Sequence, residues 1–212
     1  MVPIWSIRVI RHALCCAALL AAGCTPVDLS TRGPAPAVSH TPAFTLVGVE
    51  IDVPRELEAS EARDLYPIAD IVWRGDGPGD RHVQVERIFR DAAEDAARSL
   101  ARGPSVVAHI EVERFHSLTE RARAYTGGDH DMKFVLTLVE AGTGRTLLGP
   151  KPVHTVLDAW GGRRAIEAEQ RGEGMRARIV PHLAGVLRKL MSVPVSGLGP
   201  DARVAATLGH RL

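Results

Sequence analysis

Residues 105–115 read SVVAHIEVERF, and apolar and polar side chains alternate along this stretch. Because successive side chains of a strand point to opposite faces, every second residue from Ala108 to Val112 would face a hydrophobic core. The residues between them would form a polar row on the opposite face. That polar row consists of His109, Glu111 and Glu113. The stretch therefore predicts a half-buried strand.

Similar periodicity predicts the other elements of the fold. Strands are predicted at 44–53, 105–115, 132–140 and within 146–158, helices at 81–101 and 163–191, and the apolar run 69–73 could add a strand. Asp80 is the expected N-cap of the first helix. Pro181 should kink or break the second helix, because proline removes a helical hydrogen bond.

These elements predict an α+β fold in the order β-α-β-β-β-α. Strong turn signals between adjacent strands favour an antiparallel sheet of about four strands. Two amphipathic helices would cover one face of this sheet and give a two-layer sandwich. The uncovered face would then be polar, as the strand at 105–115 requires.

The N-terminus carries the pattern of a bacterial export signal. Arg8 and Arg11 precede the uncharged apolar run 13–22, which is a positive n-region followed by a short h-region. Ten residues are too few to span ~30 Å of hydrocarbon as a helix. Residues 20–24, LAAGC, resemble a lipobox, in which the cysteine is lipidated and begins the mature chain. This resemblance predicts lipidation of Cys24, with palmitate among the acyl chains; the alternative is an ordinary cleaved signal with an incidental cysteine.

The predicted organisation has four parts: a lipoprotein signal peptide at 1–23, the lipidated Cys24 with a proline-rich tether to residue 43, a single α+β domain at 44–191, and a flexible tail at 192–212. Thr25 follows the cysteine where enterobacterial lipoproteins retained in the inner membrane carry aspartate. We therefore expect a lipid-anchored protein on the periplasmic face of the cell envelope, in the outer rather than the inner membrane.

Composition excludes several functional classes. The formal charge of +1 and the aromatic content of 4% give no basis for nucleic-acid binding. All three cysteines precede residue 25, so the body can form no internal disulfide, thiolate metal site or cysteine nucleophile.

The body resembles an uncharacterised lipoprotein family of Rhodobacter-like alphaproteobacteria. The resemblance rests on five short motifs, at residues 69–74 (ADIVWR), 79–81 (GDR), 114–119 (RFHSLT), 127–128 (GG) and 161–169 (GGRRAIEAE). Because this family has no assigned activity, the resemblance implies a compartment and no mechanism.

Two enzymatic hypotheses concern histidine-containing segments of the body. His109, Glu111 and Glu113 could offer imidazole and carboxylate ligands to a divalent metal, or could simply form a solvent-facing polar row. His116 and Ser117 stand together, but no Gly-x-Ser-x-Gly elbow is present and spacing fixes no partner for the serine. We therefore predict no enzymatic activity, no metal and no cofactor.

A candidate partner surface begins in residues 70–82, DIVWRGDGPGDRH, which would form a strand end, a turn and a helix start. A second basic cluster follows the strand at 105–115. The candidate residues are Trp73, Arg74, Asp76, Arg81, Arg114, His116, Arg121 and Arg123. Trp73 would sit in or beside the core, and the tripeptide at 74–76 would be an accidental match to an adhesion motif.

The sequence thus favours a membrane-anchored, non-enzymatic accessory or scaffold protein that binds another envelope protein. The alternative is a module that binds a lipid or small amphiphile and assists envelope transport. A metal-assisted hydrolase using His109, Glu111 and Glu113 is the third hypothesis.

Overall fold

The structure is a computed structural model that describes residues 40–194. The predicted signal peptide, Cys24, most of the predicted tether and most of the predicted tail lie outside the described residues. Within residues 40–194, no helix has the length and apolar character needed to cross a membrane.

The described residues form a mixed α+β fold with a five-stranded, mostly antiparallel sheet and four helices. The strands are β1 His40–Pro42, β2 Thr45–Asp52, β3 Ile71–Val72, β4 Ser105–His116, β5 Gly128–Glu140, β6 Thr146–Ala159 and β7 Ser192–Pro194. The helices are α1 Arg81–Ala97, α2 Glu120–Tyr125, α3 Gly162–Gln170 and α4 Met175–Leu190. Asp80 caps α1 as predicted, because its carboxylate accepts hydrogen bonds from the backbone of His82 and Val83.

The main sheet has the strand order β2-β4-β5-β6, and β3 pairs with the last two residues of β4. The antiparallel meander of β4, β5 and β6 is confirmed. The prediction of a wholly antiparallel sheet is wrong, since β2 and β3 both run parallel to β4. The crossover through α1 returns the chain to the end of the sheet where β2 began, which makes the next strand parallel.

The predicted helix at 163–191 is two helices. Gly172 adopts φ 78° after the end of α3, a conformation that suits glycine, and α4 begins at Met175. The second helix then continues through Pro181 to Leu190. The short helix α2 and the strands β1 and β7 were not predicted.

Residues 40–42 and 192–194 fall inside the predicted tether and tail, and they pair with each other as antiparallel strands. The backbone N–H of Ala43 also donates to the carbonyl of Met191 at 3.0 Å. Strand pairing therefore extends from His40 to Pro194, four residues before and three residues after the range 44–191 predicted for the domain.

One hydrophobic cluster joins α1 and α4 to the inward face of β4 and β5. Three aromatic rings stack edge-to-face through it: Phe89 lies 6.2 Å from Phe115 and 5.3 Å from Phe134, measured between ring centroids. These side chains are fully buried. The layer between the helices and the sheet is thus filled by the protein's own side chains.

A β-bulge interrupts the alternation of β4. Val112 pairs with Phe134 but Arg114 pairs with Lys133, so Glu113 has no partner on β5. An extra residue of this kind shifts the following side chains by one position. Phe115 consequently faces the core, and Arg114 lies on the outward face of the sheet (the outer face).

The two ends of the sheet carry different parts of the molecule. Thr45, near the start of the described chain, pairs with Ser105 at the beginning of β4, and we call this the entry end. Ile71 pairs with Phe115 near the other end of β4, and we call this the distal end. The 12 residues of β4 span roughly 40 Å at about 3.3 Å each.

Candidate functional site

A groove of about 620 Å³ opens at the distal end. Four segments line it: the loop after β3, one side of α2, the end of α3 and the first two turns of α4. Ligand sites in proteins usually have volumes of ~300–1,000 Å³, so the groove is large enough for a small ligand or a short peptide segment.

Trp73 fixes the loop that forms the first wall. Its side chain is fully buried, its ring centroid lies 5.6 Å from that of Phe115, and its Nε1 donates to Asp76 at 2.9 Å. A Cβ added at Gly75 would lie 2.2 Å from the Trp73 ring, so this position accepts only glycine without rearrangement. The prediction of Trp73 as a surface residue is therefore wrong, while its expected place in the core is confirmed.

Arg74 is held inside this wall, with its side chain only 4% exposed. It donates to the carbonyls of Trp73 at 2.9 Å and Ser60 at 2.7 Å, and its Nε lies 3.2 Å from Glu120 of α2. An adhesion tripeptide needs an accessible arginine, so the match at 74–76 has no such role here.

Long-range ion pairs brace the other walls. Arg176, in the first turn of α4, donates to Asp76 at 2.9 Å and to Asp91 of α1 at 2.7 Å. Arg123 of α2 donates to Glu169 of α3 at 2.6 Å. These contacts fix the spacing of four segments that are far apart in the sequence.

The floor of the groove is apolar. Met175, Ala177, Val180 and Pro181 contribute their side chains to it. Because proline has no N–H, the carbonyl of Ala177 lacks the donor that residue 181 would supply in a regular helix. The groove therefore combines apolar contacts, arginine donors and carboxylate acceptors.

A buried Ser–His pair lies behind Met175. The Oγ of Ser117 is 2.7 Å from Nδ1 of His130 and 3.7 Å from the sulfur of Met175. Desolvation by burial, with a further contribution from the nearby Arg178, lowers the pKa of His130 to about 4, so the ring is neutral at pH 7. Ser117 is 3% exposed and His130 is 1% exposed, so a substrate has no access to the hydroxyl in this conformation.

The predicted metal ligands do not converge. His109 lies on the outer face with its Nδ1 2.9 Å from Glu50 on β2, Glu111 is exposed, and Glu113 sits at the bulge. Glu113 therefore ends this polar row at a position that has no partner on β5. In residues 40–194, no three His, Cys, Asp or Glu side chains are grouped so as to hold a metal ion.

The predicted partner residues separate into three places. Arg74 and Arg123 line the groove. Asp76 forms an ion pair with Arg176, which also lines it. Arg121 is exposed on α2. Arg81, Arg114 and His116 are bonded to groups outside the groove.

Arg81 is 8% exposed and donates to Glu61 at 2.7 Å. Its hydrogen bond, together with the charge of Arg74, holds the pKa of Glu61 below its usual value. Arg114 lies 3.0 Å from Asp131 on the outer face, and His116 bonds the carbonyl of Pro67 at 3.0 Å. Sequence reasoning missed Glu120, Glu169 and Arg176 as groove residues. Glu169 ends the motif at 161–169, but neither that motif nor the sequence around the other two residues indicates that these side chains line a groove.

The geometry can be compared with known proteins. A family model described as "Family of unknown function (DUF6778)" matches residues 44–205. The chain belongs to this family. The prediction of an uncharacterised family is confirmed, and its restriction to Rhodobacter-like bacteria stays a prediction.

Two solved structures are similar to the chain. One is a Xanthomonas campestris protein of the DUF330 family, with 13% identity, coverage of 74% of this chain and 86% of that chain, and a TM-score of 0.38. The other is a candidate lipoprotein from Caulobacter crescentus CB15, with 18% identity, coverage of 68% and 86%, and a TM-score of 0.29. No curated protein matches the chain.

Proposed function

We propose that this DUF6778 protein is a lipid-anchored accessory protein of the cell envelope that binds another envelope protein through the distal groove. The lipobox-like LAAGC motif at residues 20–24 supports anchoring through Cys24 on the periplasmic face. Thr25 supports the outer membrane as its location. The groove is the observation that carries the proposed binding role.

The chemistry of the groove suits a polypeptide segment. A peptide presents both donors and acceptors along its backbone, and the groove is lined by the carboxylates of Glu120 and Glu169 and by two further guanidinium groups, those of Arg123 and Arg176. Its apolar floor would accept one or two side chains of the bound segment. Because ion pairs already fix the walls, little ordering entropy would be lost when a partner binds.

The position of the groove also supports a protein partner. Strand β2 begins at the entry end, whereas the groove lies at the distal end of β4. A body held by a tether at the entry end can direct the opposite end toward a partner. This arrangement favours a role in connecting the anchored protein to another envelope component.

A non-enzymatic role is supported by the present state of the candidate catalytic groups. Ser117 is covered by Met175, and His116 is bonded to the Pro67 carbonyl. His109 is paired with Glu50 on an open sheet face. A nucleophile must reach its substrate and its base at once, and none of these groups is placed to do so.

The alternative function is the binding of a lipid or small amphiphile that assists envelope transport. The apolar floor beside Arg123 and Arg176 favours it, since an acyl chain and an acidic headgroup could occupy the two parts. The filled layer between helices and sheet confines such a ligand to the groove. Native mass spectrometry of the protein purified from membranes would detect a retained amphiphile.

Photo-crosslinking tests the proposal. A benzophenone amino acid would replace Ala177 on the groove floor or, as the matched control, the exposed Glu111 on the outer face. We expect irradiation of intact cells to give one protein adduct from position 177 and none from position 111. Equal labelling at the two positions, or lipid alone at position 177, would rule out a protein-binding groove.

A further inference from the structure

We infer that Tyr66 and Ile68 form a rigid apolar tip that inserts into an apolar pocket with a basic rim on the partner protein. This inference rests on the proposed function and adds a second contact outside the groove. Ile68 is 97% exposed and Tyr66 is 67% exposed, while Pro67 between them is buried. Pro67 thus packs against the molecule, and the large apolar side chains on either side of it are exposed.

Exposed apolar residues are common singly, but this pair sits on an unusual segment. Residues 53–70 connect β2 to β3 without a helix or strand of their own beyond an isolated bridge at Ala59. Loops longer than about 12–15 residues in a compact domain usually carry a function.

The tip is pinned on both sides. His116 bonds the carbonyl of Pro67 at 3.0 Å, and Leu65 packs against the small cluster of Leu118, Ala122 and Ala159. After the tip, the N–H of Asp70 donates to the carbonyl of Glu58 at 3.0 Å, and its carboxylate accepts from the Glu58 N–H at 2.9 Å. A tip already held in place loses little conformational entropy on binding.

The charges around the tip identify the kind of partner. Glu58, Asp64 and Asp70 lie beside the tip and have no ion-pair partner in residues 40–194. Within that range, Arg63 is the one arginine of residues 53–70 that also has no ion-pair partner. The rim is therefore net negative. Lys or Arg on the partner would complement it.

The same charges argue against two other occupants. An anionic bilayer surface would repel the acidic rim, because such surfaces attract basic segments. A second copy of this chain would place one acidic rim against another.

The tip is continuous with the proposed interface. Arg74, which lines the groove, donates to the carbonyl of Ser60 in this loop at 2.7 Å and lies 3.6 Å from Glu61. A partner segment in the groove and a partner pocket over the tip can therefore belong to one protein. Insertion of a buried aliphatic side chain contributes enough free energy to change affinity about tenfold or more.

The test uses full-length protein in cells, with a benzophenone amino acid replacing Tyr66 or, as the control, the half-exposed Val156 on β6. We expect a protein adduct from position 66 alone, with the crosslinked partner peptide rich in apolar residues and flanked by Lys or Arg. Ile68→Ser should lower the adduct yield about tenfold. Asp64→Lys should also lower it, whereas Arg87→Ser, on the exposed side of α1, should leave it unchanged.

An adduct with lipid, an adduct of twice the chain's mass, an acidic partner peptide or no adduct would each overturn the inference. If position 177 captures a protein and position 66 does not, the groove function stands and the tip has no role. Thermal unfolding of each variant should match the wild type, because both side chains of the tip are exposed.

Discussion

The distal groove and the outer face of the sheet carry similar residue types but are built differently. On the outer face, charged groups pair with the neighbouring strand, as in His109 with Glu50 at 2.9 Å and His154 with Asp131 at 2.6 Å. In the groove, Arg176 joins α4 to Asp76, which lies 100 residues earlier in the chain. Outer-face contacts of this exposed type contribute about 0–1 kcal/mol each, whereas the groove contacts define a shape.

The largest effect is expected from Trp73→Ala, because the ring supports both Gly75 and Asp76. Truncating a fully buried tryptophan should lower the free energy of unfolding by about 3–5 kcal/mol, as measured by urea denaturation. Tyr125→Ala is the matched control, since Tyr125 is 77% exposed. Similar losses in the two variants would show that the loop does not depend on Trp73.

Acidification should weaken the fold through His130. Its folded pKa of about 4 lies below the ordinary 6.5, so the unfolded chain binds more protons between these values. Stability is therefore fully present above about pH 6.5 and falls as the pH drops toward 4, by roughly 3 kcal/mol. Urea unfolding at pH 7.5 and pH 4.5 measures this loss.

His130→Gln should flatten that pH dependence, while His109→Gln should preserve it. Arg178 and His182 disfavour the charged ring of His130, and Asp158 favours it. The change of stability with pH therefore depends on these three neighbours as well as on burial. If the free energy of unfolding of His130→Gln falls with pH as steeply as that of the wild type, groups other than His130 cause the acid sensitivity.

Gly75→Ala should cost about 1–3 kcal/mol, because the new methyl group would overlap the Trp73 ring. Gly77→Ala is a close control two residues later, since a Cβ there would have no neighbour within 4 Å. Thermal unfolding of both variants separates local crowding from a general loss of glycine flexibility.

Arg176→Gln should lower stability by about 1 kcal/mol, because it removes two charged hydrogen bonds from a partly exposed side chain. His109→Gln, which removes one outer-face pair, should change it by less than about 0.5 kcal/mol at pH 7. A double-mutant cycle of Arg176 with Asp91 would give the coupling energy directly. If the coupling energy of Arg176 with Asp91 is as small as that of His109 with Glu50, the groove ion pairs are no stronger than those of the outer face.

Alternation along the chain predicted the strands that became β2, β4, β5 and β6, because one face of each packs on a core. Alternation contains no information on strand direction, so the parallel pairing of β2 with β4 was missed. The sequence also did not predict the bulge at Glu113, because apolar and polar residues alternate without a break from 108 to 113. Its effect appears only in the register with β5.

The groove was predicted only in part. Arg74 and Arg123 were candidates because of local charge and motif resemblance, but Glu169 and Arg176 come from the far end of the chain. Ser117 bonds His130, which lies 13 residues later in the chain, after α2. No sequence-spacing rule predicts a serine–histidine pair at that separation. Contacts between remote segments depend on the packed fold, and that is why local patterns could not predict them.

Co-purification in mild detergent tests the central claim most directly, using full-length wild type, Ala177→Trp and Glu111→Trp. Both substitutions are at exposed positions, but only the first fills the groove. We predict that one envelope protein accompanies the wild type and Glu111→Trp at a constant ratio and is lost with Ala177→Trp. Retention of that protein by Ala177→Trp, or its absence from the wild type, would contradict a partner-binding groove at the distal end.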